Sequence, residues 1–505
     1  MSSNLGSMPL RYRVTIDREQ CMECERCINN CSYGVFRRDG DRILINSRKC
    51  TACHRCLAYC PRDAIMLEEQ PCDYRSHPVW TRATREAIYN QARTGKIILA
   101  GMGSVANLPV IFDHLMLDAC QVTTPPTDPL REPVELRTYL GKKPSHLDLC
   151  RNSNGDVELA TELAPNLMVE TPVMLGHMSY GAISLNAQVS MARAAKETGT
   201  YMGTGEGGLH AGLYPYQDRM IVQVASGRFG VNIDYLERGA AIEIKLGQGA
   251  KPGIGGHLTG EKVSKDVSRT RMIPEGSDAI SPAPHHDIYG IEDLSQLVRA
   301  IKEATEWKKP VFAKVAAVNN TAENVAAVAR SSVDAVVIDG FRGGTGAAPR
   351  VFRDHVGIPI EVAVASADRE LRRQGLRNEV SLIACGSIRE SADVVKAIAL
   401  GADAVYIGTA ALAAMGCRVC GNCYQGLCPW GIATQRPDLV ERLDPDVASK
   451  QVANLIHAWT LEITELMGAA GINSIESLRG NRDRLRGYML DENILNVLDV
   501  EPVGA

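Results

Sequence analysis

From about residue 170 onward, short apolar runs alternate with longer amphipathic stretches. The runs are "PVMLGHMS" (172–179), "TYMGTG" (200–205), "AAIEIKLG" (240–247), "PVFAKVA" (310–316), "DAVVIDG" (334–340), "VSLIACGS" (380–387) and "DAVYIGT" (403–409). Each predicts a buried strand. Between them "SLNAQVSMARAAKETG", "IEDLSQLVRAIKEAT", "AENVAAVARSS" and "ESADVVKAIALG" predict helices. Alternating strand and helix implies a parallel sheet. Seven or eight such units over ~250 residues predict a TIM-type (β/α)8 barrel. A doubly wound sheet is the competing arrangement, and the lack of G-x-G-x-x-G after a first strand weighs against it.

The flanks follow other patterns. "RRDGDRILINSRKC" (37–50) predicts a hairpin, with Asp39-Gly40 at the turn and Ile43 and Ile45 alternating after it. "HPVWTRATREAIYNQARTGK" (77–96) looks helical, and the proline-rich "VTTPPTDPLREPVELRTYLGKKP" (122–144) looks extended. "DVASKQVANLIHAWTLEITELMGAAG" (446–471) predicts a helical end to the chain. The expected layout is a compact module over 10–72, a connecting lobe with no chemistry of its own over 73–165, the barrel over 166–415, a loop over 416–435 and a helical extension over 436–505.

Composition narrows the class. A hydrophobic share of 45% fills a sizeable core, while 45 glycines and only 5% aromatics suit an α/β enzyme with glycine loops better than a base-stacking platform. A net charge of −4 offers no basic surface for nucleic acid. No apolar run approaches the ~20 residues of a membrane span, and "MSSNLGSMPLRYRV" lacks a signal-peptide core. A soluble, cytoplasmic protein is expected, without nucleic acid or membrane partners. Sixteen cysteines are then unusual, since disulfides are rare in that compartment and metal or cluster ligation is the alternative.

Twelve of the thiols fall in three runs. "CMECERCINNC" carries Cys21, Cys24, Cys27 and Cys31, and "CTACHRCLAYCP" carries Cys50, Cys53, Cys56 and Cys60. Both read C-x2-C-x2-C-x3-C, the two-cluster ferredoxin spacing in which the fourth cysteine of each run ligates the other cluster. One [4Fe–4S] cluster is therefore expected on Cys21, Cys24, Cys27 and Cys60, and another on Cys50, Cys53, Cys56 and Cys31. Zinc sites use paired C-x2-C units separated by other chain, and two complete runs argue against zinc. Ser32 stands where proline commonly follows the fourth cysteine, a change of turn rather than of ligand. The third run, "CRVCGNCYQGLCP" (417–429), admits a disulfide knot, a zinc site or an electron relay. Cys72, Cys120 and Cys150 are isolated and expected to be free.

Glycine turns gather at the predicted C-terminal ends of the strands, where barrel enzymes place their sites. "CGSI" (385–388), "IGTA" (407–410) and "DGFRGGTGAAP" (339–349) bare their backbone there. Gly343, Gly344, Thr345, Gly386, Ser387, Gly408 and Thr409 are thus candidates for a phosphorylated cofactor such as FMN. Ser179 and Gln223, in "PVMLGHMS" and "QVASGRFGV", are further candidates for holding it.

"TGEGGLH" (204–210), "QVASGRFGV" (223–231), "KLGQGAKPGIGGHL" (245–258), "ISPAPHHDIYGIEDL" (280–294), "GFRGGTGAAP" (340–349) and "GCRVCGNCYQGLCPWGIATQ" (416–435) strongly resemble the FMN-binding synthase domain of glutamate synthase. With a ferredoxin module in front, the chain is similar to the archaeal-type enzymes. The resemblance implies a barrel holding FMN and 2-oxoglutarate beside an iron–sulfur cluster. It assigns Cys417, Cys423 and Cys428 to a [3Fe–4S] cluster. Cys420 is extra to that pattern and either stays free or makes the cluster [4Fe–4S]; three irons are the expectation.

The activity it implies is reductive amination of 2-oxoglutarate with ammonia, through 2-iminoglutarate, to L-glutamate. The hydride would come from reduced FMN and the electrons through the clusters. By resemblance, Lys251 and Arg271 clamp the substrate carboxylates, Glu206 stands beside the imine, and Lys245 and Lys314 face the flavin. His257 stands where the family usually has Gln, and Ile254 where it has an acid, which puts the substrate's identity in question. His285 and His286 are adjacent on an extended segment and are expected to be structural; Asp339 is expected to bond backbone in its loop. No glutaminase domain, β-helix or NAD(P)H-binding fold is recognisable. A separate glutaminase subunit and an electron donor (ferredoxin or an NAD(P)H oxidoreductase subunit) are therefore expected. Competing readings are a related amine-transfer enzyme such as an N-methylglutamate synthase subunit, and a non-catalytic electron-transfer subunit.

Overall fold

The computed structural model describes residues 10–70, 80–106 and 108–504. Its centre is a closed barrel of eight parallel strands in sequence order. They are β1 (Val173–Leu175), β2 (Met202–Gly203), β3 (Met220–Ala225), β4 (Ala241–Lys245), β5 (Val311–Ala316), β6 (Ala335–Asp339), β7 (Ser381–Cys385) and β8 (Ala404–Ile407). Strand β8 closes on β1, with Val405 opposite Val173. Seven of the eight coincide with the predicted runs. β3 does not, because its "MIVQVA" follows a 3-10 helix, Ala211–Arg219, where the rhythm calls for an α-helix. Residues 176–179, predicted as strand, instead form the loop after β1.

Alternation along each strand sorts the side chains. Met174, Ile221, Ala241, Phe312, Ala335, Val337, Ile383, Ala404 and Tyr406 meet inside the barrel, over Leu140, Leu167 and Val169. Val222, Ile242, Ile244, Ala313, Val336, Ile338, Leu382 and Val405 point outward into the helical shell. Two residues beyond Ile221, Ala241, Phe312, Val337 and Ile383, the same face reaches Gln223, Glu243, Lys314, Asp339 and Cys385, and two residues past Glu243 it reaches Lys245. The barrel is therefore dry below and titratable at its C-terminal mouth.

The segment between β4 and β5 forms a cover. It holds a short antiparallel pair, His257–Leu258 with Ala279–Ile280, and the helix Lys265–Arg271. The front module pairs Tyr12–Ile16 with Ile65–Glu69 and turns a hairpin, Phe36–Asp39 with Arg42–Ile45, at Gly40 (φ +56°). The expected boundary at 72/73, and Cys72, lie outside the described residues.

The stretch read as a connecting lobe is woven into the barrel instead. Thr138–Leu140 pairs with Leu167–Val169, and Leu140 helps fill the bottom of the barrel. Leu99–Ala100 pairs with Ala348–Pro349, and Gly101 N donates to Gly421 O at 2.7 Å. Arg82–Thr94 is helical, as its sequence predicts. Cys120 is buried and Cys150 exposed, both unbridged. The long helix Pro445–Ala469 packs on Leu185–Glu197, capped by Asp444 ahead of Pro445.

Buried charge ties the C-terminal extension to the bottom of the barrel. Arg377 donates to Asp368 (2.7 Å) and Asp403 (2.8 Å), while Arg479 reaches Asp403 (2.7 Å) and Arg482 reaches Asp368 (3.1 Å). Burial opposes ionisation of Asp403, but Arg377, Arg479 and Lys143 overcome it and hold the carboxyl at about 2. A depressed carboxyl stabilises the fold above its ordinary value of 3.8, and this contribution is lost as pH falls towards 2. Arg377→Met removes the cation that Asp368 and Asp403 share, leaving each with one fewer buried partner, and is expected to cost about 3 kcal/mol. Urea unfolding at neutral pH measures the loss, and an unchanged midpoint would contradict it.

Candidate active site and thiol groups

Each half of the front module encloses a small hollow. One is lined by Cys21, Cys24, Cys27 and Cys60, the other by Cys31, Cys50, Cys53 and Cys56. Each therefore gathers three thiols of one run and the fourth of the other. Burial, helped by neighbouring thiols, raises Cys53 to about 11 and Cys56 to about 12. Four thiolates together are costly unless a cationic body neutralises them, which fits a cubane cluster.

The two hollows differ in surroundings. The second faces the late loop: Trp430 Nε1 donates to Cys53 O (3.1 Å), and Ser32 Oγ donates to Leu427 O (2.6 Å). Arg442 donates to Asn29 O (2.7 Å), and Arg55 stacks over Tyr59 and Trp430. Ser32 thus uses the hydroxyl that a proline would lack to fasten the module down. The first hollow lies away from this contact, and its Cys24 is exposed.

The late loop closes over the barrel mouth. Cys417, Cys420, Cys423 and Cys428 all line one large cavity of about 340 Å³. Burial and the neighbouring thiols raise Cys417 to about 12. Gly101 lies so close that a Cβ there would meet Cys423 N and Gly421 O at 2.9 Å. Tyr33 lines both this cavity and the second hollow.

The cavity floor consists of paired charges. Gly205 N donates to His177 Nδ1 (3.1 Å), so the ring hydrogen sits on Nε2, 3.2 Å from Glu243. Gln223 Nε2 donates to the other Glu243 oxygen at 2.7 Å. Lys314 lies 3.1 Å from Asp339. Burial opposes its charge, but Asp339, Cys385 and Glu243 outweigh burial and hold the ammonium above its ordinary value. Asp339 is thus an ion-pair partner, not the backbone acceptor expected.

On the cover side, Glu206 accepts from Lys245 and Ser281, each at 3.1 Å. Burial pushes its carboxyl up, but Lys245, Arg271 and Lys251 prevail and hold it below the usual range. Lys251 Nζ donates to Ala347 O at 2.8 Å. Burial and Lys245 push it down to about 8, against the pull of Glu206. His285 is buried against Lys245 O (2.8 Å) and His286 is exposed, so the two are no metal pair.

Glu206, Lys251 and His257 line the cavity, as do Ser179, Gln223, Lys245, Lys314, Gly344, Thr345, Gly386, Ser387, Gly408 and Thr409. Two expected site residues do not. Arg271 lies behind the wall, donating to Ser179 Oγ (2.9 Å) and Tyr180 O, because its helix within the cover packs against Tyr180 and Leu258. Gly343 sits one residue too deep, where a Cβ would meet Asp339 Oδ1 at 2.7 Å. His177, Asp339, Cys385 and Tyr406 also line the cavity, with Glu243 buried beneath it beside His177, and none of these was foreseen as a cofactor or catalytic group. Inward register at the strand ends was the available signal for Glu243, Asp339, Cys385 and Tyr406, whereas His177 stands in the loop after β1.

The residues fit FMN. A Cβ on Gly408 would meet nothing within 4 Å, and Gly386 takes φ +96° beside Ser387 at φ +62°, so backbone lines this end of the cavity. At the floor, Asp339 Oδ1 and Tyr406 Oη are buried without a hydrogen-bond partner among the described residues, which a polar ring edge would satisfy.

A parallel barrel whose mouth is roofed by a four-cysteine loop, with a two-cluster module docked beside it, defines an electron-transferring barrel oxidoreductase. Residues 106–473 match the family described as the conserved region in glutamate synthase, and residues 13–61 the 4Fe-4S dicluster domain. The chain is 65% identical to "Archaeal glutamate synthase [NADPH]" of Methanocaldococcus jannaschii, covering 98% of this chain and 99% of that one. It is 54% identical to the archaeal-type enzyme of Thermotoga maritima, covering 98% of both. With the Bacillus subtilis "Glutamate synthase [NADPH] large chain" it shares 37% identity over 61% of this chain and 21% of that one. The chain belongs to the glutamate synthase family.

The crossed thiol sets are separable by mutation. Cys60→Ala is expected to remove the outer cluster, and Cys31→Ala the one beside Trp430. Iron analysis with low-temperature EPR reads both. Loss of the inner signal in Cys60→Ala would contradict the assignment.

Proposed function

We propose that this chain makes L-glutamate by reductive amination of 2-oxoglutarate with ammonia in the cavity above the barrel. The observation that carries the reading is the meeting of Glu206, Lys245 and Lys251 in a cavity that a glycine cradle also lines. Ammonia adds to the keto carbon, the carbonyl oxygen leaves as water, and the resulting 2-iminoglutarate takes up a hydride and a proton. FMN in the cradle would supply that hydride and accept single electrons from iron–sulfur centres.

The chain's own groups do the rest. Lys251 uses one N–H on Ala347, leaving two for a substrate carboxylate. His257, at the rim and 3.3 Å from Asp278, is placed for the second carboxylate. Glu206 stays ionised, accepts an N–H from ammonia, and takes the proton that nitrogen sheds on bonding to carbon. Arg271 is a positioning residue, acting through Ser179 and on the charge of Glu206. Lys314 keeps a cation at the floor, where a reduced ring would carry negative charge.

The late group is proposed to hold [4Fe–4S] rather than [3Fe–4S]. Cys417, Cys420 and Cys423 repeat the x2 spacing of the front runs, and Cys420 lines the cavity with the other three. Electrons would pass from the exposed outer cluster to the inner one, across the Cys53–Trp430 contact to the late cluster, and so to the cavity. NADPH in the relatives' names supports a separate oxidoreductase partner as the source, and a glutaminase partner is proposed for ammonia.

Lys251→Ala is expected to lower kcat/KM for 2-oxoglutarate at least 100-fold with flavin and iron content unchanged. Full activity in that variant would overturn the substrate site. Lys251 is charged below its value of about 8 and neutral above it. KM for 2-oxoglutarate should therefore rise as pH passes 8, and Lys251→Arg should flatten the rise. Cys420→Ala should convert the late centre to a three-iron EPR signal, and an unaltered spectrum would leave the cluster with three thiolates.

A further inference from the structure

Lys262 closes a short 3-10 turn, Gly260–Lys262, in the cover between β4 and β5. It is only 3% exposed. Its Nζ donates to Ala182 O at 2.8 Å and to Cys423 O at 3.0 Å, both residues lining the cavity. Among the described residues no carboxylate lies within ion-pair distance of it, unlike Lys245 with Glu206 or Lys314 with Asp339. Among the described residues its hydrogen bonds go to these two carbonyls alone, one of them on a late-loop cysteine.

A buried ammonium without a counter-charge is strongly disfavoured, so a site that keeps one supplies the missing negative charge by other means. A thiolate-ligated iron–sulfur body on the late loop brings that charge. We propose that Lys262 is the fixed counter-ion of the late cluster. It favours the cluster's reduced, more negative state and so draws electrons forward from the front module. Its two hydrogen bonds also pin the Cys423 turn to the loop after β1, holding the cluster against the cavity wall. Lys262 is a positioning residue, acting on the reaction only through the cluster. The inference rests on the reading of the late thiols as cluster ligands.

The test is an EPR-monitored redox titration of holoenzyme for the natural chain, Lys262→Met and Lys262→Arg. Lys262→Met should lower the late cluster's midpoint until its reduced-to-oxidised ratio, at the natural midpoint, falls at least tenfold, or about 59 mV for one electron. The front-cluster potentials should stay in place, and Lys262→Arg should stay within twofold of the natural ratio. Loss of the late signal in Lys262→Met with retention in Lys262→Arg supports the same conclusion, because charge alone separates them. An unshifted midpoint in Lys262→Met overturns the proposal, as does loss of the signal in both variants, which would mark a role of shape. If the natural protein shows no third cluster signal, the cluster reading itself fails, independently of Lys262.

Discussion

Charge buried in a closed space has to be matched, and this requirement organises the barrel mouth. Alternation along the strands carries polar side chains inward wherever a strand outruns the apolar interior. Lys314 has Asp339, Glu206 has Lys245, and Glu243 accepts from the Gln223 amide with the His177 ring 3.2 Å away. Pairing lets ions persist where desolvation alone would neutralise them. Lys251 departs from this pattern, since its ammonium is held by a backbone carbonyl and lies close enough to neutrality to respond to an arriving dianion.

The same logic extends to the thiols. Three groups of four are gathered at the edge of the barrel mouth and in the module docked against it. The dock is built from few, directional contacts, chiefly Ser32 to Leu427, Trp430 to Cys53 and Arg442 to Asn29. They break the near-symmetry of the two front runs. One hollow becomes internal and the other keeps an exposed cysteine, so nearly identical spacings acquire different places in an electron path.

Much of this was readable from residue order. Strand rhythm predicted the barrel, and C-x2-C-x2-C-x3-C predicted the crossed thiol sets now seen around the two hollows. What escaped depended on contacts distant in sequence. β3 was hidden because a 3-10 helix precedes it. The stretch over 73–165 looked inert, yet Met102, Gly103 and Ser104 line the cavity and Leu140 fills the barrel bottom, roles set by strand pairing rather than local pattern. Arg271 was placed on the substrate by resemblance, whereas its helix turns it towards Ser179 and Tyr180. Glu243 gave no motif and is found only by counting inward positions along its strand, and His177 gave no signal at all because it stands in the loop after β1.

The central claim is that one cavity couples the thiol-held iron to the chemistry of a keto-diacid. Stopped-flow absorbance tests it most directly, with fully reduced protein mixed against excess 2-oxoglutarate and ammonia without external donor. The account predicts that the iron–sulfur bands recover together with the flavin band, and that about two glutamates form per protein because cluster electrons refill the flavin once it has reacted. Recovery of the flavin band alone, with the iron–sulfur bands remaining bleached, would contradict it.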